Sequence, residues 1–152
     1  SMVLSQGESS RLNKKCVEKT ESAMYVGAFP FDSEDPGLSF VFAIANSEVN
    51  PSKLEEEINE EFSNVQSELI SDKEFNKVRN MLENDFIYNF NSMIGIAEGL
   101  ANYEMYYGDA NLINTELERY LKVTKEDIQR VAKKYFVPSN RVILYYLPKE
   151  NG

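Results

Sequence analysis

The spacing of hydrophobic residues changes along the chain, and the change predicts a β-hairpin near the start. Residues 23–31 are apolar and aromatic, residues 32–37 form a turn-forming cluster, and residues 38–45 are again rich in strand-forming side chains. Such a pattern is typical of two antiparallel strands joined by a turn. The second arm is apolar on both faces, so we expect it to lie centrally in a sheet and to be covered on both sides.

Apolar residues spaced three and four apart predict helices over most of the remaining chain. The clearest stripe consists of Leu54, Ile58, Phe62, Val65 and Leu69. Helix starts are predicted at Asn50-Pro51-Ser52, where Pro suits a first turn and Ser52 matches a capping box, and at Ser71 and Thr124, with a break near residues 89–95. Shorter helices are predicted near residues 9–19 and 112–121, and a last strand at 140–147. The predicted order is α-β-β-α-α-α-α-α-β.

This order predicts an α+β fold with one domain over residues 1–152. A small antiparallel sheet, made of the hairpin plus a C-terminal strand, packs against five to six helices. Three strands are few for so many helices, and the second hairpin arm is too apolar for an exposed edge. We therefore expect the sheet to be part of a larger one or to pair with another chain, and we expect self-association through a strand edge.

Composition excludes several classes of function. The chain has 16 Lys and Arg against 25 Asp and Glu, a net charge of −9, so it is not expected to bind nucleic acid. It has no His, which excludes Ser-His-Asp catalysis and imidazole metal sites. The longest uncharged stretches, residues 36–47 and 86–97, are too short to cross a bilayer. No signal peptide is visible, so the compartment stays open for a protein that is expected to be soluble.

Two groups of carboxylates could bind a cation, but each has a simpler interpretation. The favoured interpretation of the first group is a solvated helix face. This group consists of Glu55, Glu56, Glu57, Glu60 and Glu61. The other is favoured as a set of turn formers, and consists of Asp32, Glu34 and Asp35. No residue of the chain is therefore predicted to be a metal ligand.

Cys16 and a group of tyrosines are the other candidates for chemistry. Cys16 lies on the apolar side of its helix with no His to activate it, so we expect a small core residue and not a catalytic thiolate. Four tyrosines could line a peptide groove, although their helical spacing favours core packing. They are Tyr103, Tyr106, Tyr107 and Tyr120. No catalytic residue is predicted in this chain.

Motifs in the predicted order resemble one repeat of the insulinase/pitrilysin-type zinc metallopeptidases, which include the mitochondrial processing peptidases. The helix Ser9-Ser10-Arg11-Leu12, the hairpin through Gly27-Ala28-Phe29-Pro30, and Ser71-Asp72-Lys73-Glu74-Phe75 resemble the C-terminal part of that repeat. Gly108-Asp109 and the stretch from Val123 to Arg141 are similar to its closing helix and strand. The resemblance covers almost the whole chain and implies a truncated, non-catalytic C-terminal half-domain.

The resemblance also implies where the chemistry lies. In this family His-x-x-Glu-His and a downstream Glu bind zinc on a different repeat, so the fragment needs no cofactor and zinc belongs to another domain of the parent. The non-catalytic half of many members contributes an Arg–Tyr pair to peptide binding. Tyr25 falls on the Tyr position, whereas Glu18 stands where the Arg is expected. Tyr25 is thus the candidate substrate-binding residue, with an ordinary strand aromatic as the alternative.

The resemblance implies that the chain forms part of a peptide-enclosing chamber in a zinc metalloendopeptidase. Its expected partners are a catalytic zinc-binding half and a peptide substrate, with basic peptides favoured by the acidic charge of this half. The fragment alone is not expected to be an enzyme, although its parent is. The alternative is a stand-alone peptide-binding or protein-interaction module with the same fold.

Overall fold

The computed structural model describes residues 1–31 and 37–147, and within them one hairpin is followed by a run of helices, which is the segregation typical of the α+β class. The strands are β1 (Ala23–Phe31) and β2 (Leu38–Ala45). The α-helices are α1 (Met2–Ser5), α2 (Pro51–Ser67), α3 (Asp72–Asn89), α4 (Met93–Tyr107), α5 (Leu112–Leu121) and α6 (Lys125–Tyr135). A π-helix (Asn13–Lys19) precedes β1, and a 3-10 helix (Pro138–Asn140) follows α6. The predicted fold class is confirmed.

β1 and β2 form the predicted antiparallel hairpin, with Ala23 opposite Ala45 and Phe31 opposite Leu38. The register shifts between Ala23 and Tyr25, which places a bulge at Met24. The predicted turn cluster from Asp32 to Pro36 lies outside the described residues. One face of the hairpin turns toward the helices and the other turns away from them.

The hydrophobic core lies between β1 and a layer made of the π-helix, α2 and α6. Leu12 and Cys16 are fully buried, which confirms Cys16 as a small core residue. Around them cluster Leu4, Ala23, Val26, Ala28, Leu54, Val65 and Ala132. Phe62 of α2 stacks on Phe136 with ring centroids 4.7 Å apart and joins α2 to the end of α6. The core thus stabilises the side of β1 that faces the helices.

The helix boundaries follow capping chemistry. Asn50, and not the predicted Ser52, caps α2, because its side-chain oxygen accepts the N–H of Ser52 while Pro51 occupies the first turn. The predicted capping box of Thr124 and Asp127 is present at α6, and Ser71 caps α3. The predicted break falls between α3 and α4. Gly108 ends α4 in the left-handed region, at φ 68°.

Two expectations about the sheet are wrong. The arm at residues 38–45, expected to be central and covered, is exposed along most of its length, and no described helix packs on its outer face. The strand predicted at 140–147 does not form: residues 138–140 make the 3-10 helix, and residues 141–147 join no strand ladder. A strand needs a neighbouring edge for its backbone, whereas this segment is attached to α2 through side chains of Arg141 and Tyr145 that contact Glu55.

Among the helices of residues 1–31 and 37–147, none is both long enough and apolar enough to cross a membrane.

Candidate functional site

The face of the hairpin that turns away from the helices is lined by aromatic and branched side chains. Residues directly opposite each other in an antiparallel pair project to the same face, and alternate residues share that face. The pairing therefore brings together Tyr25, Phe29 and Phe31 of β1 with Leu38, Phe40, Phe42 and Ile44 of β2. All seven side chains are exposed. We call this set the open aromatic face.

Aromatic contacts organise the open aromatic face. Phe40 stacks on Phe29, with ring centroids 5.8 Å apart, and meets Phe31 edge-on at 6.1 Å. Tyr25 lies 6.2 Å from Phe42. These distances suit aromatic pairs, so the face presents two groups of contacting rings to the solvent.

The position of Tyr25 depends on Gly27, two residues further along the same face. The Tyr25 hydroxyl lies 2.6 Å from where a Cβ of residue 27 would stand, so the phenol occupies the space that a side chain would take. The bulge at Met24 directly precedes Tyr25 and re-aims the strand at this point. Half of the tyrosine, 51%, remains accessible. The structure thus places the predicted substrate-binding residue on an accessible surface.

The open aromatic face is suited to binding and not to proton transfer. Its residues include no carboxylate, thiol or imidazole. Exposed aromatic rings offer apolar contact area with little entropy loss, and Tyr25 adds one polar hydroxyl. The chemistry that this surface supports is the recognition of apolar groups.

Glu18, which replaces the expected arginine, lies on the π-helix and is exposed. No hydrogen bond joins Glu18 to Tyr25 among the described residues.

The donor groups of this chain do not fit a zinc ion. The sequence has no His, and Cys16 is buried in the core, where its environment raises the pKa of the thiol to about 11. Burial is the main cause of this shift, and the charge of Glu57 adds to it. A thiol with so high a pKa does not supply the thiolate that zinc binds. Within residues 1–31 and 37–147, no three acidic or Cys side chains gather as a metal site.

The acidic stretch of α2 is not the uniform solvated face that the spacing predicts. Glu57 is buried, at 6% exposure, and its carboxylate accepts hydrogen bonds from Ser22 at 2.5 Å and Thr20 at 2.8 Å. Glu55 accepts hydrogen bonds from the C-terminal segment, and Glu60 forms a 2.7 Å ion pair with Lys15. Of the five carboxylates, Glu56 fits the prediction best, since it is exposed.

The four candidate tyrosines divide between two environments. Tyr103 and Tyr120 line a shallow cavity of about 320 Å³ between α3, α4 and α5. Burial, with a contribution from the charge of Glu116, raises the pKa of Tyr120 to about 12. Tyr106, Tyr107 and Tyr120 are exposed, Tyr120 at 47%, so the expectation of core packing is wrong for these three. α5, which carries Tyr120, packs on α3 and on α4.

One contact between two sequence motifs was not foreseen. Arg11, from the Ser-Arg-Leu stretch, holds Glu74, from the motif that opens α3, through two hydrogen bonds of 2.6 and 2.9 Å. Arg11 lowers the pKa of the Glu74 carboxyl below its ordinary value through these bonds. Both residues belong to sequence motifs that resemble the family, and their opposite charges are the feature of the sequence that could have predicted this contact.

Comparisons with known proteins give a consistent result. A family model described as the peptidase M16 inactive domain matches residues 1–82. The zinc protease PqqE of Helicobacter pylori is 24% identical over 148 residues, which are 97% of this chain and 33% of that protein. This chain therefore spans about a third of the length of that curated relative.

Two crystal structures from Bordetella resemble the fold over 97% of this chain and 80% of their own chains, at 25% identity. The first is the inactive peptidase domain of a protein from Bordetella parapertussis described as a zinc protease, with a TM-score of 0.85. The second, from Bordetella pertussis, carries the same description of a zinc protease and has a TM-score of 0.83.

Proposed function

The chain belongs to the M16 peptidase family as an inactive, C-terminal peptidase domain, and from this premise we propose that it forms part of the peptide-enclosing chamber of a zinc-dependent metalloendopeptidase. Family membership confirms the resemblance stated above. In this proposal residues 1–152 are one partial domain, and the zinc ion and His-x-x-Glu-His lie on another domain. The peptide substrate is held between the two halves.

The open aromatic face carries this proposal. An apolar surface of this size on one side of a hairpin is a feature of interaction sites, because isolated soluble domains seldom expose contiguous apolar patches. Peptide side chains can rest on the rings, and the Tyr25 hydroxyl can bond to a peptide carbonyl. The donor groups of this chain do not fit zinc. The role of the chain in this proposal is therefore to bind and enclose the peptide, whereas the catalytic half carries out the hydrolysis.

Steady-state kinetics on the full-length polypeptide test the proposal. Tyr25→Ala should lower kcat/KM without unfolding the domain. The expected loss corresponds to roughly 1–3 kcal/mol of transition-state stabilisation, the size expected for a truncated aromatic contact. Tyr25→Phe should lose less, since it keeps the ring. Glu18→Arg should improve kcat/KM by restoring the family's pair. The matched control is Tyr88→Ala on α3, since that tyrosine is 80% exposed and lies outside the open aromatic face.

Three results would contradict the proposal. One is a loss of stability in Tyr25→Ala with unchanged kinetics, which would leave Tyr25 as a packing residue. Another is a full-length polypeptide with no metal-dependent peptidase activity. The third is full peptide affinity in the isolated 152-residue chain, which would favour the stand-alone binding module.

A further inference from the structure

Gly27 is buried on a face whose other members are exposed. It lies between Tyr25 and Phe29 along β1 and opposite Phe42 on β2, so it belongs to the same side of the hairpin as the open aromatic face. The three heavy atoms nearest to the place of its missing Cβ all belong to Tyr25. They are the hydroxyl oxygen at 2.6 Å, Cζ at 3.2 Å and Cε1 at 3.3 Å. The phenol ring of Tyr25 therefore lies along the strand and covers Gly27.

Neither the backbone conformation nor the helix layer explains a glycine at this position. Among the described glycines, Gly7 and Gly108 have a positive φ and Gly27 does not, so its conformation is open to any residue. Glycine inside a strand is unfavourable, because it gives the unfolded chain more freedom and has no side chain to pack. Since the atoms that a side chain would meet first are those of Tyr25, the phenol is what requires glycine here.

The placement of the phenol decides where the polar group of the open aromatic face lies. Gly27 pairs with Phe42, and the next pair toward the turn is Phe29 with Phe40. The ring of Tyr25 contacts Phe42, and Phe29 stacks on Phe40. With its phenol over Gly27, Tyr25 presents its hydroxyl inside this surface, at the row of Gly27 and Phe42. A peptide whose apolar side chains rest on the rings can bond to the hydroxyl through its backbone.

We propose that Gly27 is a positioning residue, which lets the hydroxyl of Tyr25 lie within the open aromatic face where a bound peptide reaches it. This inference rests on the proposed function only in taking a peptide as the ligand. In Gly27→Ala the hydroxyl must move from 2.6 Å to the ordinary contact distance of at least 3.4 Å. Because the hydroxyl is the far end of a rotatable side chain, it can move while the strand stays folded.

NMR of the full-length polypeptide tests the placement without any need for activity. Tyrosine ring protons are observed by selective isotope labelling, and the signals of Tyr25 are those that disappear in Tyr25→Ala. A nuclear Overhauser contact should join these ring protons to the α-protons of Gly27, because the ring covers that residue. Absence of this contact would overturn the proposal, whatever the peptidase activity of the polypeptide.

A double-substitution cycle tests whether a bound peptide uses the placement. The probe is fluorescein-labelled β-casein, an unfolded polypeptide, and its Kd for the full-length polypeptide is measured with a chelator present, so that hydrolysis is not required. Gly27→Ala should weaken binding about three- to tenfold, the size of one lost hydrogen bond. In the Tyr25→Phe background the same substitution should change Kd less than about twofold, because the atom at 2.6 Å is gone and Cζ lies 3.2 Å away.

Melting temperature separates positioning from packing. Gly27→Ala should melt at the same temperature or higher, because alanine costs less conformational entropy in a strand than glycine does. A lower melting temperature would make the glycine a packing requirement and overturn the proposal. Equal effects of Gly27→Ala on Kd in the two backgrounds would overturn it too, because residue 27 would then act without the hydroxyl.

The same measurements distinguish this inference from the proposed function. If the cycle behaves as expected but the polypeptide hydrolyses no peptide, the proposed function fails and the role of Gly27 stands. If the unsubstituted polypeptide does not bind β-casein, the role of Gly27 is overturned, and peptidase assays decide the proposed function separately.

Discussion

Glu57 is a buried carboxylate whose hydrogen-bond donors are two hydroxyl groups. Ser22 and Thr20 reach it from the segment between the π-helix and β1, and the Thr20 hydroxyl also lies 2.9 Å from the carbonyl oxygen of Lys15, which competes for its single proton. The network fixes the end of the π-helix against α2. Since β1 begins directly after Ser22, the network also sets the path of the chain toward Tyr25.

Removing a donor from this network should destabilise the fold. Ser22→Ala leaves the buried carboxylate of Glu57 with Thr20 alone, and an under-satisfied buried charge costs about 1–3 kcal/mol of unfolding free energy. Urea unfolding at neutral pH measures the loss. Glu56→Ala, at an exposed neighbouring position, should stay within about 0.5 kcal/mol. Equal losses in the two variants would mean that the buried network contributes nothing specific.

Periodicity could predict some of these residues and not others. Cys16 follows Leu12 by four positions, so the helical pattern alone places it in the core. Glu57 sits in a run of glutamates at the border of the apolar stripe, where the pattern favours solvent. Its burial depends on Ser22 and Thr20, which come from a distant part of the sequence, and no local pattern carries that information.

Arg11 and Glu74 join two helical elements that are 63 residues apart in the chain. Arg11 lies two residues before the start of the π-helix, and Glu74 lies in the first turn of α3, where a carboxylate also complements the helix dipole. Both side chains are mostly buried, at 20% and 25% exposure, so solvent screens their interaction only in part.

The stability supplied by this pair should depend on pH in one direction. The pKa of Glu74 is lowered from its ordinary 4.5 in the folded state, so the contribution is complete above pH 4.5 and is lost as the pH falls through the lowered pKa. Glu74→Gln should therefore cost about 1 kcal/mol at pH 7 and almost nothing in strong acid. Urea unfolding across this range measures the difference. The control is Glu83→Gln, because Glu83 forms a more exposed ion pair with Arg79, with 3.8 Å between Oε1 and Nε. Its pH-dependent loss of unfolding free energy should be smaller. A loss of the same size would contradict the predicted role of the pair of Arg11 and Glu74.

Among the elements, the hairpin and the helices could be predicted, but the last strand could not. The hairpin is local, because its two arms are separated only by a turn. Residues 141–147 do have the alternation of a strand: Val142, Leu144 and Tyr146 are 96%, 88% and 96% exposed, while Ile143 and Tyr145 are less than half exposed. What this segment lacks in the described structure is a neighbouring edge, which a local pattern cannot supply.

At the scale of the whole molecule, the open aromatic face and the acidic side chains of α2 lie on opposite sides of the hairpin. β1 and β2 contain no charged residue, although the chain carries a net charge of −9. Acidic residues of α2 lie in the helix layer, on the other side of the sheet from the open aromatic face. Electrostatic attraction of basic peptides, expected from the sequence, can therefore act only at long range, whereas the rings act by contact.

This separation predicts how peptide selectivity in the full-length polypeptide responds to substitution. Glu56→Lys should leave the ratio of kcat/KM values for basic and neutral peptides almost unchanged, because this exposed side chain of α2 lies in the helix layer and salt screens its field beyond about 8 Å. Phe42→Ala on the open aromatic face should instead lower kcat/KM for peptides with aromatic side chains more than for peptides without them. Kinetics with matched peptide pairs at low and physiological salt measure both effects, and melting curves verify that each variant is folded. A large change of charge selectivity in Glu56→Lys, with no effect of Phe42→Ala, would show that the peptide path follows the helix layer and that the open aromatic face does not contact substrate.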